Sequence, residues 1–337
     1  MYPDFIGIGA QKSGTTWLHR NLQAHPQLWM PRKEIHYFDE KIDDDSTALS
    51  RLFLKNSEAA RWRRQAWHWL KVYTLRRPSV GGLRWTLKYF LKPYNDDWYG
   101  KIFEPRKGRI AGEITPAYSV LSKKKVAHVH ELMPDAKLIF MMRNPIERAW
   151  SQAVMSFDKV QKGSAESASM EEILDRFARS SSSRLTNYLR TLENWSAFYS
   201  EEQIFVGFLE DVSFFPGDLL EKIYRFLGVD PSFEPPFLNM KVHSRSSDTI
   251  STSLATYLAR KYGNETERLA AVFGGYASFW SYCARRLVED PPEEERMTYP
   301  LWASALWEEW RRSEQGSVGA KGLGLRSGPL SSLQAVR

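Results

Sequence analysis

The sequence predicts a doubly wound α/β fold: three layers, with a central parallel sheet and helices on both faces. Three observations lead there. Short apolar strands alternate with amphipathic helices along the chain. The run AKLIFMMR (residues 136–143) is almost continuously apolar, as a parallel strand covered on both faces requires. Two conspicuous loops, after Ile8 and after Met142, fall at strand carboxyl ends, where such sheets bind ligands.

The elements follow in order. DFIGIGA (residues 4–10) reads as a short buried strand ending in glycines, and TTWLHRNLQAHP as a helix stopped by Pro26. RIAGE (109–113) is a second strand and 136–143 the strongest. The helix after it has Asn144 as N-cap and Pro145 at its first position. QIFVGF (203–208) is another strand. DLLEKIYRFLGV (218–229) is an amphipathic helix ending at Gly228.

The chain has 337 residues, 42% of them apolar, enough for one large α/β domain or two small ones, with a core of ample size. Its formal charge of +7 favours anionic ligands, nucleic acid or acidic membrane surfaces without choosing among them. The single cysteine, Cys283, excludes an intrachain disulfide and a cysteine-based metal site. The first apolar run is too short for a signal peptide, and no run approaches 18 apolar residues. A cytoplasmic protein is expected.

Two segments stand apart. Residues 51–92 contain eleven Lys/Arg and one acid, Glu58, with four tryptophans (62, 67, 69, 85) among them. In residues 61–77, Trp62, Ala66, Trp69, Leu70 and Tyr73 follow helical spacing on one side, and Arg63, Arg64 and Lys71 lie off it. This insert (43–100) reads either as a cover helix with a solvated face or as an acceptor lid. Rings mixed with cations suit a sugar, an aromatic acceptor or an anionic lipid interface. EDPPEEER (289–296) marks the expected exit from a domain of residues 1–286. Residues 287–337 read as a C-terminal extension, partly disordered because the tail is glycine-rich and lacks apolar periodicity.

The opening loop, AQKSGTTW, is a phosphate loop of unusual form. Triphosphate loops place lysine directly after the last glycine, whereas Lys12 here precedes Gly14. A strand–glycine loop–helix still gathers backbone N–H groups and a helix dipole around one point, which is an anion site. Ser13, Thr15 and Thr16 add hydroxyls, Lys12 reaches a bridging or leaving oxygen, and Trp17 is placed to stack on a base.

QKSGTTWL resembles the 5′-phosphosulfate loop of sulfotransferases that use 3′-phosphoadenosine 5′-phosphosulfate (PAPS). MRNPIERAWS (142–151) resembles that family's 3′-phosphate motif. KEIHYFDE (33–40) resembles a segment of its glycan-directed branch, such as the heparan sulfate enzymes. The resemblance implies a P-loop-like fold, PAPS as co-substrate and no metal; the sequence has no metal-ligand cluster. It assigns the 5′-phosphosulfate to Lys12, Ser13, Gly14, Thr15, Thr16 and Trp17, and the 3′-phosphate to Arg143 and Ser151. Arg148 either joins them or pairs with a surface carboxylate. The general base is Glu34 or His36, which would share a face if this segment were a strand. GEITPAYS (112–119) resembles a family strand end, but Ile114 stands where the heparan branch has a lysine, which argues against an acidic polysaccharide acceptor. Glu113 either is structural, the favoured reading, or orients the site. Tyr188 is expected near the nucleotide, and Lys241, His243 or Arg245 near the 3′-phosphate.

The implied activity is in-line sulfuryl transfer to a hydroxyl or amine of a small molecule, glycan, glycolipid or secondary metabolite. Peripheral membrane contact through residues 61–77 is an accessory expectation, and no nucleic-acid partner is expected. A P-loop-type nucleotide kinase would leave the second motif unexplained. A nucleic-acid or membrane-binding module would leave both loops idle.

Overall fold

A computed structural model describes residues 1–39, 57–76, 78–91, 94–160, 171–174, 182–240, 248–313 and 328–329. Five strands form a parallel sheet: β1 (Phe5–Gly9), β2 (Leu28–Trp29), β3 (Ile110–Ile114), β4 (Lys137–Met142) and β5 (Ile204–Phe208), in the order β2-β3-β1-β4-β5. A two-residue strand, Gly328–Pro329, lies antiparallel along the outer edge of β5. The parallel order is what right-handed strand–helix–strand connections produce.

The period of two along each strand sends alternate side chains to opposite layers. Phe5, Ile114, Ile139, Met141 and Phe205 pack on one side against Leu18 and Leu22 of helix α1 (Thr15–Ala24) and against Leu219 and Ile223 of the helix Pro216–Leu227. Ile6, Ile8, Leu138, Phe140, Met142 and Val206 pack on the other, against helices that include Lys123–Leu132, Pro145–Val160 and Tyr188–Ser196. The three-layer expectation therefore holds. Each large apolar side chain buried this way contributes roughly 1.5–3 kcal/mol. Gly112 is required in β3, because a Cβ there would lie 2.2 Å from the Phe5 ring.

The expected caps are present. Asn144 Oδ1 accepts from the Ile146 N–H at 3.0 Å, and Gly228 ends its helix at φ 81°. Among the described residues of the basic insert are the helices Ser57–Lys71, continued by a π-helical turn Val72–Arg76, and Val80–Leu91. Trp62 stacks on Tyr89 with centroids 5.4 Å apart, Trp69 stacks on Tyr73, and the Trp85 indole donates to the Ile102 carbonyl at 3.0 Å. Trp67 lies off that face and is 66% exposed.

Packing does not stop at residue 286. The strand Thr249–Ser251 pairs antiparallel with Arg296–Thr298, and the helix Ala305–Arg312 buries Leu306 and Trp310, one helical turn apart. Among the described residues the folded body runs to Ser313. The acidic stretch 289–296 is a surface turn within it, because the apolar residues that follow return the chain to the core. Among the described residues no helix is long and apolar enough to cross a membrane.

Candidate active site

The loop after β1 turns at Lys12 (φ 74°) and Gly14 (φ 83°), both in the left-handed region. At Gly14 this conformation is cheap, and a Cβ would sit 2.9 Å from Leu209 Cδ1. Gly14 caps α1, whose first backbone bond runs from the Leu18 N–H to the Gly14 carbonyl at 3.0 Å. Helical geometry therefore leaves the N–H groups of Thr15, Thr16 and Trp17 without intrahelical acceptors at the positive end of the dipole. That suits a multiply charged oxyanion. Ser13 is fully buried, Thr15 nearly so, and Thr16 half-buried.

Trp17 differs from the expectation. Its side chain is 3% exposed and its indole N–H donates to the Leu238 carbonyl at 2.8 Å. The ring is part of the core between α1 and the chain near residue 238, so it has no open face for a base. The Trp17 backbone N–H is one of the three at the start of α1 without an intrahelical acceptor.

The second motif reaches the same place. Arg143 follows directly on β4, beside β1 in the sheet. Its Nη1 donates to the Lys12 carbonyl at 3.3 Å, and its Nε to Glu147 Oε2 at 3.0 Å. Glu147 is buried, and burial pushes its carboxyl upward against the pull of Arg143. Arg143 Nη2 also donates to the Tyr299 hydroxyl, and Ser151 lies against the same phenol. Tyr188 is fully buried; its hydroxyl donates to the Arg143 carbonyl at 2.9 Å, and Ser13 lies beside it. It joins the two loops from beneath.

Arg148 is also fully buried, bonded to Thr186 Oγ1 at 2.8 Å and Gln152 Oε1 at 2.9 Å. Its guanidinium joins helices inside the fold, and of the two alternatives, a phosphate ligand or the partner of a surface carboxylate, this burial disfavours the second. Lys241, His243 and Arg245 lie outside the described residues.

The segment with Glu34 and His36 is not a strand. Both residues have φ 61°, because their backbone is fastened to the end of β3 and the turn beyond it. The Glu34 N–H donates to the Ile114 carbonyl, the Ile35 N–H to Thr115 Oγ1 and the Tyr37 N–H to the Tyr118 hydroxyl, each at 3.0 Å. Ile35, Tyr37 and Phe38 enter the core. Glu34 and His36 still meet, with Nε2 3.8 Å from Oε2, and His36 Nδ1 lies 2.8 Å from Asp39 Oδ2.

The neighbouring His36, 3.8 Å away, does most to lower Glu34 to about 2, helped by Lys33 and opposed by burial. Burial alone would lower His36, but its bonds to Asp39 and Glu34 outweigh that and raise it to about 9. At neutral pH, Glu34 is a carboxylate and His36 an imidazolium. His19 on α1, buried near Lys33 and Glu34, is pushed down to about 4 by burial first and Lys33 second, and stays neutral.

Glu113 is fully buried and accepts from Tyr99, Thr115 and Tyr118 at 2.5, 2.7 and 3.1 Å. Burial raises it to about 7, and its role is structural. Ile114 is buried in the α1-side core. Sequence reasoning missed Glu147, Tyr299 and His19. Glu147 was discoverable as the (i, i+4) partner of Arg143, whereas Tyr299 lies 156 residues from its partner.

Comparison with known proteins bears on the family and the fold. Residues 3–235 match the family described as the sulfotransferase family. The membrane-associated sulfotransferase kil1 of Dictyostelium discoideum is 27% identical over 151 residues, which span 44% of this chain and only 22% of that protein. The crystal structure of a sulfotransferase from Alicyclobacillus acidocaldarius shares the fold, with TM-score 0.53 and 22% identity over 80% of this chain and 95% of that one. A sulfotransferase domain from the curacin biosynthetic pathway aligns at TM-score 0.47 and 17% identity, over 71% of this chain and 77% of its own. The chain belongs to the sulfotransferase family.

Proposed function

We propose that the enzyme transfers a sulfuryl group from PAPS to a hydroxyl or amine, by in-line displacement. The observation that carries this reading is the hydrogen bond from Arg143 to the Lys12 carbonyl, which brings both anion-binding motifs to one place. The fit to a donor with two phosphate groups is good: three N–H groups open at the start of α1, and a guanidinium stands at the neighbouring strand end.

In this reading the N–H groups of Thr15, Thr16 and Trp17 and the hydroxyls of Ser13, Thr15 and Thr16 hold the 5′-phosphosulfate. Lys12 neutralises charge on the leaving phosphate oxygen. Arg143 and Ser151 take the 3′-phosphate, with Lys241 a further candidate, and Tyr188 positions Arg143 from below. Positioning and fixed charge supply most of the acceleration in such transfers.

Glu34 is the better choice of base. A base must be unprotonated, and between the two carboxylates His36 holds its proton at neutral pH. His36 then orients Glu34, and protonation is shared within the pair as the acceptor proton arrives.

The acceptor approaches beside the insert. Trp62 packs on Tyr89 and Tyr94, and Tyr94 on Tyr37, so a buried aromatic cluster ties the insert to the residue after His36 and holds it next to the Glu34 segment. An apolar Ile114 in place of a lysine favours an uncharged glycan, glycolipid or secondary metabolite over an acidic polysaccharide. The outer face of the insert favours a membrane-bound acceptor. Arg63, Arg64, Lys71, Arg76, Trp67 and His68 line a cavity of about 660 Å³, and Leu75 and Val80 are exposed nearby. Cations with apolar side chains suit contact with an anionic bilayer from the cytoplasmic side.

The test is transfer of isotopically labelled sulfate from PAPS into pooled lipid, glycan and metabolite acceptors. Glu34→Gln should lower turnover by about 10²–10⁴-fold. Near-normal turnover in that variant moves the base to His36, and no transfer from PAPS to any pool counts against the reading.

A further inference from the structure

Tyr299 lies outside the stretch that matches the family, yet it reaches the centre of the site. The Arg143 guanidinium lies over its ring, 5.3 Å from Cζ to the centroid. The phenol oxygen accepts from Arg143 Nη2, and Ser151 lies against the same oxygen. The two residues assigned above to the 3′-phosphate thus converge on one hydroxyl.

A count of donors shows what this means for a phosphate. A guanidinium has five N–H groups. In Arg143, Nε and Nη2 each lie 3.0 Å from Glu147 Oε2, Nη2 also serves Tyr299, and Nη1 serves the Lys12 carbonyl. Bidentate binding of a phosphate needs two N–H groups side by side. The phenol and a phosphate oxygen therefore compete for the same donors.

The surroundings confine the exchange to one side chain. On one side of Tyr299, Met297 is paired with Ile250 across a two-stranded ladder. On the other, Leu301 is buried and its N–H donates to Glu147 Oε1 at 2.7 Å. The phenol is neutral across the physiological range, its pKa pushed up to about 12 chiefly by burial. A phosphate dianion is a stronger, charge-assisted acceptor and displaces it. A ribose 3′-hydroxyl carries no charge and leaves it seated.

We propose that the Tyr299 hydroxyl is an internal competitor that occupies the 3′-phosphate position between Arg143 and Ser151 in the empty site and is displaced by a 3′-phosphorylated nucleotide but not by one lacking that group. This rests on the assignment of Arg143 and Ser151 to that phosphate. The test is calorimetric titration of the full chain and of Tyr299→Phe, without divalent metal, using adenosine 3′,5′-bisphosphate and AMP. Loss of the competing hydroxyl should tighten bisphosphate binding by about tenfold. AMP affinity should be unchanged, which also reports an intact fold. Unchanged or weaker bisphosphate binding in Tyr299→Phe overturns the inference, as does an equal shift for both ligands. If the wild type prefers the bisphosphate and Arg143→Ala loses that preference, the donor assignment survives such a failure. A wild type that does not prefer the bisphosphate over AMP overturns both.

Discussion

The guanidinium of Arg143 donates to the carbonyl oxygen of Lys12 at 3.3 Å, across 131 residues of sequence. The same guanidinium is paired with the buried carboxylate of Glu147. Arg143 therefore balances a buried charge, and in the proposed reading it has a second, separable role in ligand binding.

Arg143→Ala should lose both. Removing one member of a buried pair typically costs about 3–5 kcal/mol, read here as a lower urea midpoint. Adding Glu147→Gln removes the unbalanced charge and should recover most of that stability without restoring nucleotide binding. Recovery of both together would contradict the division of roles.

The Glu34–His36–Asp39 cluster predicts a specific pH dependence. His36 is raised to about 9 from an ordinary 6.5, so its contribution is complete below about 6.5 and lost as pH rises through 9. Glu34 is lowered to about 2 from 4.5, so its contribution is complete above about 4.5 and lost as pH falls through 2. The cluster stabilises the fold most between those two ordinary values. Melting temperature should decline from pH 6.5 to 9 in the wild type, and His36→Gln should remove that part of the decline. An identical decline in both proteins would show that the imidazolium does not contribute.

Much of this site was legible because its signals are local. The left-handed turn at Gly14, the start of α1 and the Asn144 cap are each written within a few consecutive residues. The unbroken apolar run gives β4 away, since both its faces are covered. What was not legible depends on distant partners. Trp17 faces the core because a carbonyl 221 residues away receives its N–H. Glu34 and His36 leave the strand conformation because Ile114, Thr115 and Tyr118 fasten their backbone. Alternation along residues 33–38 records which side chains are buried, and that pattern fits a strand or a tethered loop equally well. Tyr299 follows an acidic stretch that looks like the end of a domain, and only the pairing of Arg296–Thr298 with Thr249–Ser251 returns it to Arg143.

The insert carries its own prediction. Trp67 and Leu75 are 66% and 76% exposed beside Arg64, Lys71 and Arg76. The protein should co-sediment with vesicles containing phosphatidylserine more than with phosphatidylcholine alone, and less as salt rises. Trp67→Ala with Leu75→Ala should reduce that binding several-fold without lowering thermal stability, since neither side chain is buried. Equal sedimentation with both vesicle types would exclude electrostatic recognition.

The claim at the centre of the account is that the Lys12 loop and Arg143 form one site for a nucleotide with a 3′-phosphate. Thermal unfolding with adenosine 3′,5′-bisphosphate, in the absence of divalent metal, tests it most directly. At a hundredfold excess over Kd the ligand should stabilise the fold by about 2.7 kcal/mol, and Arg143→Ala should abolish the shift. Stabilisation by magnesium ATP alone, with none from the bisphosphate, would contradict the claim.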